Sequence, residues 1–337
     1  MTTTTGTIYR SSATRRSLLI SAAFIAALLL ANLLLFNPGQ MGVVLLSGLY
    51  QGMLFFLVAA GFSIVFGLLD VLNLAQGSFF MLGAYMGFFV YGALPPGTPI
   101  PVRFVCALIA AAAGGGLLGA LVERALIRPL YARPVFQIVL TFGLAIVFTE
   151  IIRTIYGPAG LIPVQPPAVL DTTFPVFGAR FETYRLFIII TGAVLMAGVL
   201  FLLRRTRLGI IIRAGVQDRE MVQTLGIPIG RIFTLVFALG CAVAAFGGMV
   251  AAPYLGAYPS MGDQFLINTV IVVVLGGMSS FAGTAIASIL VGLTRATVEQ
   301  ISLQYLQTPV LASLSILLLM IVVLLVRPSG LFGRENG

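Results

Sequence analysis

Apolar runs long enough to cross a membrane constrain this chain more than any other feature. Ser17–Phe36 and Tyr184–Leu203 are two such runs. Each spans about 30 Å as a helix, the thickness of a bilayer's hydrocarbon core. Of the 337 residues, 59% are apolar and 9% are charged, against about 25% charged in a soluble domain. One water-facing core cannot hide that much apolar surface. The expected fold is therefore all-α, a polytopic transmembrane helical bundle of 8–10 spans.

Taken in order, the chain opens with a polar tail, residues 1–16, ending in Arg15 and Arg16. It is expected to be disordered and cytoplasmic. The run Ser17–Phe36 is too long for a signal-peptide core, and no small-x-small cleavage site follows at Asn37, so it reads as a first span. Further spans are expected over Met41–Leu68, Phe79–Leu94, Val102 to Ile127, Val135–Tyr156, Tyr184–Leu203, Ile232 to Ala252, Thr284 to Ile301 and Val310–Val326. Gln264–Leu275 is short for a full crossing, and it and Asn73–Ser78 are candidate re-entrant segments. The proline-rich connection Gly157–Thr183 reads as an external loop with a hairpin over Thr173–Glu182. In domain terms, 17–327 forms the transmembrane unit, with a loop at 204–231, and 328–337 is a second cytoplasmic tail.

Orientation follows from charge. All nineteen basic residues are arginines, and the net charge is +9. In a soluble protein that balance suggests nucleic acid. In a membrane protein it orients spans and meets anionic headgroups, so lipid is the expected partner and nucleic acid is not. With both termini inside, the inner segments collect Arg124, Arg128, Arg133, Arg204, Arg205, Arg207, Arg213, Arg219 and Arg231.

Several chemistries are excluded. The chain has no lysine for a P-loop and no histidine. Its two cysteines, Cys106 and Cys241, lie in apolar runs and read as packing groups. No catalytic residue, metal site or cofactor is expected. Asp218 and Glu220 are better explained by a solvated helix face than by paired-carboxylate catalysis.

Three stretches stand out. Asp70, Asn73 and Gln76, followed by Gly77, are spaced i, i+3, i+6 and would share one face of a helix. Two readings stand open: a substrate path or broken helix, or an ordinary loop between spans. Gly276 and Gly277, with Gly283, bracket a turn in an apolar setting, read as a tight turn or as a gate. The arm Arg204–Pro228 is the longest arginine-rich polar interruption. Within it, Gln217–Leu225 reads as a short amphipathic helix with Met221, Val222 and Leu225 on one side. Gly226 sits at its C-cap, and Pro228 blocks continuation. Asp218 and Glu220 fall in its first turn, which suits the helix dipole.

LDVLNLAQGSFFMLGAYMG, RTRLGIIIRAGVQDREMVQTLGI and VVVLGGMSSFAGTAIASILVG together resemble the permease subunits of branched-chain amino-acid ABC importers. The LivH-like branch is closer than the LivM-like one, and the resemblance covers most of the chain from Leu49 to Val326. It implies a second, similar permease, two cytoplasmic ABC ATPase subunits and a periplasmic solute-binding protein. It implies that the arm, with Arg207, Gly209, Arg213, Ala214, Gln217, Asp218, Glu220, Met221, Leu225 and Gly226, couples to the ATPases. Asn73, Gln76, Gly77, Gly276 and Gly277 would flank the substrate path. Many relatives carry histidine where this chain has Gln76, and the first span is additional to the shortest relatives. The expected function is import of leucine, isoleucine or valine across a bacterial inner membrane by alternating access, without a nucleotide site of its own. The alternatives are urea or short amides as cargo, or a stand-alone channel or secondary transporter.

Overall fold

A computed structural model describes residues 23–26, 29–30, 32–33, 35–161, 165–176, 179–217, 221–222, 226, 228–278, 280–308 and 310–333. The tail 1–16 and part of the run Ser17–Phe36 lie outside them.

The helices are α1 Pro38–Leu69, α2 Gln76–Ala93, α3 Ile100–Val122, α4 Pro134–Tyr156, α5 Thr183–Arg205, α6 Arg207–Gln217, α7 Ile229–Leu255, α8 Met261–Gly276, α9 Phe281–Ile301 and α10 Val310–Val326. Among the described residues, six helical stretches are long and apolar enough to cross a membrane, and α8 and α10 are shorter apolar helices. The all-α polytopic bundle is as expected, with six such stretches against the expected 8–10 spans. The one sheet among the described residues is the antiparallel hairpin of β1 Thr173–Val176 and β2 Ala179–Glu182, with Thr173 opposite Glu182. It occupies the stretch that the sequence suggested.

Burial sorts the long helices into two groups. The apolar windows of α1, α7 and α9 are 83%, 72% and 67% buried, against 28%, 28% and 22% for α3, α4 and α5. The second group turns apolar side chains outward, among them Val139, Ile155 and Val194. Facing lipid, such side chains incur no cost. The inner group meets through small residues. A Cβ on Gly83 would collide with Ala245, one on Gly248 with the Phe80 carbonyl, and one on Gly292 with the Gly48 carbonyl. Glycine at these crossings lets backbones touch, the usual packing device where lipid supplies no hydrophobic drive.

The contacts also set directions. Gly48 meets Leu293 and Gly52 meets Ser288, so α1 and α9 are antiparallel. Gly83 meets Ala245 and Gly87 meets Met249, so α2 and α7 run parallel. One end of the bundle therefore carries α6 and the start of α7, and the other carries the hairpin.

Two helices start inside the bundle rather than at its surface. Gln76, the first residue of α2, bonds to Gly240, about 16 Å along α7 by helical rise. Gly77 abuts the Gly262 carbonyl, which brings the start of α8 to the same depth. The chain reaches that depth from Ala257, which bridges to Leu161 near the hairpin end. With 16 residues, α8 is about 24 Å long and runs toward the arm end. Its shortness thus marks an internal start, in line with the expected re-entrant character of both segments.

Candidate functional site

The link between α1 and α2 is a buried break. Asp70 closes α1 in the left-handed region at φ 56, and its N–H reaches the Phe66 carbonyl. Asp70 is exposed, whereas Asn73 and Gln76 are 1% and 0% exposed. The three do not share a helical face, because the helix stops between them. The physical reason is local: Asn73 Oδ1 accepts from the Ala75 N–H at 3.1 Å, a side-chain bond that competes with helix formation. Asn73 Nδ2 donates to Gln76 Oε1 at 3.0 Å, and Gln76 Nε2 donates to the Gly240 carbonyl at 2.9 Å. The Leu74 N–H donates to Thr141 Oγ1, and that hydroxyl lies within bonding distance of the Leu72 carbonyl. Side chains thus satisfy backbone groups that the broken helix leaves free, as non-helical backbone at membrane depth requires. Burial to this degree does not fit an ordinary solvated loop.

Gly276 and Gly277 lie at the end of α8, far along the chain from Asn73. A Cβ on Gly276 would press on the Gly283–Thr284 backbone, and Gly277 sits at φ 94. The turn is covered by the C-terminal segment. The Leu331 N–H donates to the Leu275 carbonyl at 2.8 Å, the Phe332 N–H donates to the Gly276 carbonyl at 3.1 Å, and Leu331 is 2% exposed. Residues 328–333 therefore dock on the α8–α9 turn and satisfy carbonyls that a helix end leaves open.

The arm carries a helix that the sequence reading overlooked. The sequence places the arm's helix at Gln217–Leu225, yet Arg207–Gln217 forms α6. Thr206 starts it: its hydroxyl accepts from the Gly209 N–H at 3.2 Å and donates to the Leu202 carbonyl at 2.5 Å. Gly209 is buried against the Leu203 carbonyl, where a side chain would not fit. Ile212 and Val222 are buried, whereas Ile210 and Met221 are 57% and 60% exposed. The Thr206, Gly209 and Ile210–Ile212 pattern was the available signal. Of the expected helix Gln217–Leu225, residues 218–220 and 223–225 lie outside the described residues, so Asp218, Glu220 and Leu225 have no described position. Gly226 has φ 79, the conformation expected of a C-cap glycine.

At the root of the arm, α3 continues into a π-helical turn, Glu123–Ile127. Glu123 is fully buried and accepts from Tyr131 Oη at 2.7 Å and from Thr234 Oγ1 at 2.5 Å. This carboxylate clamps α3 to α7. Sequence reasoning missed it, since a lone glutamate beside Arg124 reads as a solvated charge.

A bundle of apolar helices, with helix starts at mid-depth and irregular backbone held by side chains, defines a multi-pass membrane protein. The family model described as branched-chain amino acid transport system / permease component matches residues 44–325, and the chain belongs to that family. It is 28% identical to the high-affinity branched-chain amino acid transport system permease protein LivH of Escherichia coli K12, over 86% of this chain and 94% of that one. It is 27% identical to the corresponding BraD protein of Pseudomonas aeruginosa, covering 87% and 95%. To the LivM permease of E. coli K12 it is 27% identical, covering 72% and 61%. No solved structure shows a significant match.

Proposed function

We propose that this chain is the permease subunit of an ATP-driven importer that carries leucine, isoleucine or valine across a bacterial inner membrane by alternating access. The cargo follows from the relatives, which are named for branched-chain amino acid transport. Similarity to both the LivH and LivM proteins supports pairing with a second, similar permease. The arm end carries Arg124, Arg128, Arg204, Arg205, Arg207 and Arg231 at exposed positions, which supports a cytoplasmic placement of that end and of both termini. The hairpin end then faces the periplasm and a solute-binding protein.

Nucleotide chemistry belongs to separate ATPase subunits, since the chain has no lysine for a phosphate loop. The observation that carries this coupling is the arm's divided surface. Ile212 and Val222 fix it to the bundle, while Ile210 and Met221 leave apolar surface outside. An ATPase groove would bury that surface and push on the arm. The exposed arginines beside it would grip lipid phosphates or acidic partner residues.

The test is co-purification with the ATPase subunits and the second permease. Ile210→Asp sets a charge on the docking face and is expected to weaken ATPase retention at least tenfold without altering the yield of the chain. Full retention of the ATPases, or leucine uptake without ATP, would sink this reading.

A further inference from the structure

A cavity of about 520 Å³ opens between α1, the end of α7, the start of α8 and α9. Its wall combines opposite charges with an apolar floor. Arg295 and Glu299 stand one turn apart on α9, and no ion pair joins them or links either to another described residue. Gln51 Nε2 donates to Glu299 Oε2 at 2.9 Å and so orients the carboxylate. Arg295 lies over the Phe55 ring at 5.6 Å, and its Nε has no hydrogen-bond partner. Gln51 Oε1 is likewise buried without a partner. Leu54, Phe55 and Phe265 supply apolar wall.

Position makes these charges informative. Gln51 follows Tyr50, whose ring packs 5.2 Å from that of Tyr254 near the end of α7, so the charges stand toward the hairpin end of the bundle. On the adjoining face of α8, Asp263 and Gln264 are exposed, although α8 starts at the level of Gly77. An exposed acid at that depth does not face lipid, because ionisable groups in a bilayer line a cavity, a water path or a protein partner. Charges of both signs one helical turn apart, without an ion pair between them and beside an aliphatic and aromatic wall, are complementary to a zwitterion with an apolar side chain.

We propose that this cavity, open toward the hairpin end, is a binding site for the transported amino acid within the bundle. Arg295 holds the α-carboxylate, Glu299 the α-ammonium, and Leu54, Phe55 and Phe265 the side chain. The inference rests on the chain being an amino-acid permease. Because the cavity is open beside Gln264 and Ile267, the second permease completes its wall.

The test uses the whole importer in proteoliposomes, with its partner permease, ATPases and leucine-loaded binding protein. Arg295→Gln is expected to lower leucine uptake at least tenfold while ATP hydrolysis by the assembled complex persists, and Arg295→Lys is expected to restore part of the uptake. In a second measurement, Asn268→Cys carries a thiol at the cavity edge. Leucine should slow its maleimide labelling severalfold, whereas 3-methylbutylamine, which lacks the carboxylate, should not. Undiminished uptake by Arg295→Gln, or labelling that ignores leucine, overturns the site. Failure of the wild-type complex to move leucine instead overturns the transport reading on which the site rests.

Discussion

Gln76 donates from Nε2 to the Gly240 carbonyl at 2.9 Å, tying the first residue of α2 to the middle of α7. That bond fixes where the broken helix restarts. It occupies a site where α1 also comes close, since a Cβ on Gly61 would collide with both Gln76 Nε2 and the Gly240 carbonyl. Three helices are therefore registered at one polar point in an apolar setting.

Removing that point should be costly. Gln76→Ala leaves Asn73 Nδ2 and one carbonyl bond on Gly240 without a partner in a dry interior, at about 1–3 kcal/mol. The expected outcome is a lower unfolding temperature in detergent, together with altered uptake. Unchanged melting would mean that the linkage carries no stability.

The glycine crossings make a paired prediction. Gly83→Ala forces a methyl into the Ala245 backbone and should destabilise by about 1–3 kcal/mol through overpacking. Gly143→Ala on α4 meets nothing within 4 Å. It should be neutral or gain up to about 1 kcal/mol from helix propensity. Equal melting temperatures for the two variants would contradict the close approach of α2 and α7.

What the sequence revealed follows what hydropathy encodes. Val310–Val326 was bounded correctly because an uninterrupted apolar run has both ends in polar chain, and the hairpin over Thr173–Glu182 stood out against prolines. Depth was not legible in the same way. Nothing in Met261–Gly276 says that its first residue lies beside Gly77, because a run's length gives how far it reaches and not where it begins. The spacing of Asp70, Asn73 and Gln76 suits a continuous helix as well as a broken one, and the side-chain bond from Ala75 to Asn73 decides for the break. α6 was hidden by its arginines, which drew attention away from the three isoleucines between them. Arg295 and Glu299 went unread in the sequence, because only the fold sets them against Phe55 and Gln51.

Glu123 offers a third prediction. Two hydroxyls donate to its carboxylate, and a hydrogen bond to a charged group is worth about 1.5–3 kcal/mol. Glu123→Ala removes both bonds, so the α3–α7 clamp beside the arm should loosen. Faster amide exchange around residues 123–131 is the expected signature, with Glu123→Gln milder because one acceptor oxygen remains. Identical exchange in the wild type and Glu123→Ala would show that the clamp is idle.

Gly277 supplies the last. Its φ of 94 lies where a side chain is strained, and a Cβ there would press on the Gly333 backbone. Gly277→Ala therefore meets two penalties at once: about 1–2 kcal/mol of backbone strain, and displacement of the segment that covers the turn. Losing that cover exposes Leu331 and frees the Leu275 and Gly276 carbonyls from the bonds they accept. Limited proteolysis should then cut the C-terminal segment several times faster than in the wild type. Leu331→Asp should reproduce the effect without touching the glycine, because it attacks the same dock from the other side. If both variants are cut at the wild-type rate, the segment does not hold the turn.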